Sequence, residues 1–202
     1  MRKDTAFRIR AFRHALEDAP REMPEECREG SRWDELKNFP AGSCDLASNC
    51  LAQYLKDCGE YGEPGILFMY GNETFREAEN STVHAHVIVT LNGEYIDLTL
   101  DQFDEYTGYI PAEPVETGGV VGTLLKKIPY YEGEITTRRI NDDGLGEIYI
   151  WLKDRADALL AADPDWQAQE QSVAEFREKA IKMFPFLSTA PKTGTDVPGE
   201  GK

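Results

Sequence analysis

The sequence predicts an α+β domain, and three patterns carry that prediction. A helical pattern begins at Cys44, a β-hairpin is centred on Asn92-Gly93, and further helical periodicity lies towards both ends of the chain. At 202 residues the chain is long enough for one domain with a sizeable core. Residues 1–187 read as that domain. Residues 188–202, STAPKTGTDVPGEGK, lack apolar content and read as a disordered tail.

In chain order, Phe7, Ala11, Phe12, Ala15 and Leu16 follow helical spacing and predict an amphipathic first helix capped by Asp4. The basic residues around it (Arg2, Lys3, Arg8, Arg10, Arg13) also fit an organelle presequence, but the helix is the simpler account. Residues 19–40 are polar, with Pro20, Pro24, Gly30 and Pro40 as breakers and a short helical turn at 34–37. Then Pro40 and Gly42 interrupt the chain, Ser43 reads as an N-cap and Asp45 suits the first turn. Ala47, Cys50, Leu51, Tyr54, Leu55 and Cys58 recur at helical spacing, and Gly59 ends the helix. Residues 66–70 form an apolar strand and 71–82 a polar loop. Beyond the hairpin, strands are expected near 120–128 and 133–139. A helix is expected over 147–161, although 148–152 also fits a strand. A last helix is opened by Pro164 and Asp165.

The hairpin fixes its own register, because Asn-Gly tolerates the positive φ that a two-residue type I′ turn requires. Counting back from the turn, Leu91 faces Glu94, Val89 faces Ile96, Ile88 faces Asp97, His86 faces Thr99 and His84 faces Asp101. The period of two makes Ala85, Val87, Val89, Leu91, Ile96, Leu98 and Leu100 the core face. His84, His86, Ile88, Thr90, Tyr95, Asp97, Thr99 and Asp101 share the other face, with His86 and Asp97 as diagonal neighbours.

With 22 basic and 37 acidic residues the chain carries a formal charge of −15, which repels nucleic acid and anionic lipid. No apolar run approaches a membrane span. The expectation is a cytoplasmic protein with no nucleic-acid or membrane partner. Reduced thiols are expected at Cys27, Cys44, Cys50 and Cys58, whose gaps match no zinc spacing.

Cys44 starts a helix, where unpaired N–H groups and the dipole favour a thiolate and can hold an oxyanion. Cys50 and Cys58 fall on the buried stripe, and Cys27 lies among Glu25, Glu26 and Glu29. A histidine oriented by an aspartate supplies the rest of a nucleophilic triad. The rival reading of His84 and His86 is a metal site with Asp97, Asp101 and Cys44, though neither histidine has a helical HxxxH or HExxH partner.

The order Cys, His, Asp, on a helix followed by antiparallel strands, resembles the papain-like, transglutaminase-like superfamily of cysteine enzymes. More narrowly, FPAGSCDLAS and AHVIVTLNGEYIDLTLDQF resemble a bacterial group of that fold with FPxGxC at the helix and H…DxTxDQF at the hairpin. The resemblance covers residues 39–103. It implies a papain-like/transglutaminase-like fold, a catalytic helix packed on an antiparallel sheet, with Cys44 as nucleophile, His86 as base and Asp97 as orienting acid. Ile88 departs from the group, which commonly has an aromatic there, and His84 is an addition. Asn38, at the spacing of the papain glutamine, and Gln102 compete as the residue completing the oxyanion hole, with His84 and Asp101 as a second-line pair. The expected activity is hydrolysis or acyl transfer at an amide of a protein, peptide or small molecule through a thioester, with no cofactor. A non-catalytic binding module on the same scaffold is the alternative.

Overall fold

A computed structural model describes residues 3–59, 62–116, 118–141 and 143–184. The chain forms two compact units, residues 1–162 and 163–202. The expected tail, 188–202, lies outside the described residues.

In the first unit, α1 (Lys3–Glu22) buries Phe7, Ala11, Phe12, Ala15 and Leu16, the stripe its spacing predicts, and Ile9 as well. Two short helices follow: α2 (Glu25–Arg28), in a stretch expected to be irregular, and α3 (Trp33–Leu36), one residue ahead of the helical turn expected at 34–37. Next, α4 (Cys44–Asp57) buries Leu46, Ala47, Cys50, Leu51, Tyr54 and Leu55 and ends before Gly59, whose φ of 72° suits a glycine. Ser43 takes the N-cap position without capping: its buried hydroxyl donates to the Glu35 carbonyl instead.

The sheet is antiparallel throughout. Its strands are β1 (Gly65–Tyr70), β2 (Ala85–Leu91), β3 (Glu94–Asp97), β4 (Ile110–Pro114) and β5 (Glu134–Arg138), in the order β4-β3-β2-β1-β5. Asn92 and Gly93 have φ of 49° and 79°, and Leu91 pairs with Glu94 and Val89 with Ile96, as counted from the turn. Past Asp97 the count fails. β3 ends there and the chain turns through a 3-10 helix, Leu100–Gln102, so Thr99 and Asp101 are not strand residues opposite His86 and His84.

Several expectations are corrected on the sheet's surface. Residues 71–82 contain a helix, α5 (Glu73–Glu79), where the Asn72 carboxamide accepts from Phe75 N at 2.9 Å and Phe75 is buried. The segment expected as a strand near 120–128 is helix α6 (Val120–Tyr130), and β4 lies where none was foreseen. The face shared by His86, Ile88 and Asp97, not assigned to the core, is also covered, because Leu67, Met69 and Ile88 pack with Phe75, Leu100, Phe103, Val121, Leu124 and Ile128. On the opposite face Val87 and Val89 are also buried, whereas Ala85, assigned to the core, is exposed. Helix α4 packs along β2, with Ser48 Oγ donating to the Val87 carbonyl at 2.9 Å.

Helix α7 (Gly146–Ala162) packs on α1 and α2, so 148–152 is helical rather than extended. Tyr54 joins α1, α4 and α7: its ring stacks on Phe12 at 5.0 Å, and its hydroxyl donates to Asp157 at 2.7 Å. In the second unit, α8 (Pro164–Met183) is capped by Asp163, whose carboxylate accepts from Asp165 N and Trp166 N. Among the described residues no helix is long and apolar enough to cross a membrane.

Candidate active site

Cys44 is the first residue of α4, half-buried, and follows Gly42, whose φ of 71° calls for a residue without a side chain. Because Ser43 turns its hydroxyl away, the first-turn donors of α4 have no side-chain cap. The Asp45 carboxylate is paired with Arg32 at 2.7 Å and with Arg138. All four cysteines are unpaired. Burial pushes the Cys27 thiol up to about 12 and raises Cys50 and Cys58 as well.

His86 is fully buried on β2, with Met69 as its neighbour across β1. Its Nε2 lies 2.6 Å from Asp97 Oδ2. Asp97 Oδ1 accepts from Thr99 N at 3.0 Å, so both carboxylate oxygens are held. A bulge between Tyr95 and Asp97 in the pairing with β4 sets off the end of β3, where this carboxylate sits. Burial alone would lower the imidazole pKa. The Asp97 carboxylate and the hydrogen-bonding Cys44 side chain outweigh it and raise the value to about 10. The Phe103 ring closes another side of the imidazole, edge-on at 4.9 Å.

Gln102 is the amide brought into the site. Its Nε2 lies 3.2 Å from His86 Nδ1 and donates to the Thr99 carbonyl at 3.0 Å, and its Oε1 accepts from Gly42 N at 3.3 Å. Asn38 is exposed, and its carbonyl accepts from Ala41 N. His84 and Asp101 do not form the second-line pair. His84 is exposed with its ring edge-on to Tyr70 at 4.9 Å, and Asp101 is taken by Arg13. Among the described residues no three His, Cys, Asp or Glu side chains converge as a metal site would.

Two neighbours escaped the sequence reading. Phe103 was legible only as part of DQF. Arg13 sits four residues after Ile9 and three before Leu16, and a charged residue within an apolar stripe was the available signal.

No protein-family model matches the chain, and no solved structure gives a significant match. Over 130 residues the chain is 41% identical to a protein named Uncharacterized protein YuaU from Escherichia coli strain K12, and to the protein of that name from strain UTI89 / UPEC. The aligned stretch is 64% of this chain and 56% of each relative, so the chain spans little more than half the length of the proteins it resembles.

Proposed function

We propose that the chain is a cysteine-dependent hydrolase or acyltransferase of papain-like/transglutaminase-like fold, acting on an amide bond through Cys44, His86 and Asp97. The observation that carries the proposal is the buried imidazole held by Asp97 at 2.6 Å on one nitrogen, with the half-buried Cys44 at a helix start among the groups that raise its pKa. A protonated His86 keeps an imidazolium beside the sulfur, the arrangement that lets the thiolate attack.

In this reading Cys44 Sγ attacks the carbonyl carbon, and the uncapped N–H groups at the start of α4 receive the developing oxyanion. The C–N bond breaks as His86 gives its proton to the departing amine, leaving an acyl thioester on Cys44. Water or a second amine then attacks the thioester, His86 takes the attacker's proton and the sulfur departs. Asp97 keeps the imidazole oriented throughout. The same donors would serve a protein, peptide or small amide substrate. The charge of −15 and the four unpaired thiols support a cytoplasmic setting.

Iodoacetamide labelling at neutral pH, read by peptide mass, tests the nucleophile. Cys44 is expected to alkylate at least about tenfold faster than Cys27, Cys50 or Cys58, and His86→Ala is expected to slow it about 100-fold. Capture of a peptidyl or acyl electrophile on Cys44 by intact mass tests the thioester. Equal, slow labelling of all four thiols overturns the enzyme reading and leaves a binding module on the same scaffold.

A further inference from the structure

Arg13 projects from α1 into the interior and is 5% exposed. Its donors reach Asp101, the Leu98 carbonyl and Glu17 of its own helix. Nη2 donates to Asp101 Oδ2 at 2.7 Å. Nη1 donates to Asp101 Oδ1 at 3.0 Å and to the Leu98 carbonyl, and Nε donates to Glu17 at 2.7 Å. The guanidinium also lies over the Phe39 ring at 4.5 Å and the Tyr109 ring at 5.1 Å.

The contacts with Leu98, Asp101 and Phe39 fall on the two segments that make the proposed site, while those with Glu17 and Tyr109 hold the guanidinium from outside them. Leu98 and Asp101 bracket Thr99, whose N–H holds Asp97 Oδ1 and whose carbonyl holds Gln102 Nε2. Phe39 stands at the head of the loop that runs through Gly42 to Cys44, and Gly42 N donates back to Gln102. We infer that Arg13 is a positioning residue that sets the acid-and-amide segment, 97–102, against the loop leading into Cys44. The inference rests on the catalytic reading proposed above.

Stability alone is a weak reason for this arrangement. A buried ion pair is often replaceable by apolar groups at little cost, because desolvating both ions offsets most of their attraction. The geometry instead uses what is particular to arginine: a planar fork that grips a carboxylate with two parallel bonds while its faces stack on rings. Lysine keeps the charge and loses both features.

The test compares Arg13→Lys and Asp101→Asn with the unmodified protein and with Arg155→Lys, a control whose ion pairs run to Asp18 and Glu22. Three quantities are measured: the iodoacetamide rate at Cys44, the titration midpoint of the His86 imidazole by NMR, and the thermal midpoint. The groups facing that imidazole are Asp97, Cys44, Gln102 and Phe103. Arg13→Lys is expected to slow Cys44 labelling about tenfold and to move the imidazole midpoint towards its ordinary value, with Asp101→Asn acting in the same direction and Arg155→Lys changing neither. Asp101→Asn carries the test if Arg13→Lys does not fold.

A wild-type rate and midpoint in a folded Arg13→Lys or Asp101→Asn protein overturn the positioning role, and so does a slowing that Arg155→Lys reproduces. A slow Cys44 in the unmodified protein overturns the nucleophile proposal instead, and the imidazole titration still reports on Arg13.

Discussion

His86 sits fully buried between a carboxylate and a thiol, and that placement decides how its contribution to stability responds to pH. Its folded pKa, about 10, lies above the ordinary 6.5, so the folded state binds the proton more tightly than the unfolded chain does. The stabilisation is therefore fully present below pH 6.5 and is lost as pH rises through about 10. Urea unfolding across that window should show the wild type losing stability with pH, while His86→Gln flattens the profile. Asp97→Ala at neutral pH should cost about 3 kcal/mol, because it leaves a buried imidazole without its partner; a loss under about 1 kcal/mol in the same measurement would contradict the pairing. The five-residue logic of DLTLDQF is also resolved at this scale. Asp97 meets His86, Thr99 holds Asp97 and Gln102 with its backbone, Asp101 takes Arg13, Gln102 reaches Nδ1 and Gly42, and Phe103 packs on the imidazole.

Helix α6 shows how an element can be misread from its composition. Residues 120–128 read as a strand, but Val121, Leu124 and Ile128 recur at helical spacing and are buried. Glu113 on β4 supplies the missing cap: its carboxylate accepts from Val121 N at 3.1 Å and from Gly122 N at 2.7 Å. A glycine at 119 makes room for it, since a Cβ there would sit 2.4 Å from the Glu113 carboxylate oxygen. Glu113→Ala should lower stability by about 1–2 kcal/mol through lost capping bonds. Gly119→Ala should cost about as much by displacing the same carboxylate. Urea denaturation measures both, and additive losses in the double variant would show that the two positions do not act through one contact. The same logic applies to α5, whose polar sequence reads as a loop until Asn72 caps it and Phe75 finds the core.

Across the whole molecule, a net charge of −15 opposes compaction by self-repulsion. The pairs Arg13–Asp101, Arg32–Asp45 and Arg155–Asp18 spend basic side chains on joining elements, but acids remain in excess. Raising salt from about 0.01 M to about 0.3 M shortens the screening length several-fold and should raise the thermal midpoint. A midpoint that falls over that range would show that the ion pairs outweigh the repulsion.

The sequence by itself determined the parts of this protein whose information is local. The stripe of α1, the run and stop of α4 and the Asn92-Gly93 register depend on periodicity and backbone preference, which neighbouring residues carry. From that register alone His86 and Asp97 fell within reach. Only the tertiary structure decided the contacts whose partners are distant in the chain. It covered the second face of the sheet with α5 and α6, turned the chain out of β3 after Asp97, moved Asp101 from His84 to Arg13 and brought Gln102, not Asn38, against His86. Those outcomes depend on which buried groups need one another once the core closes, and spacing along one chain segment does not encode that.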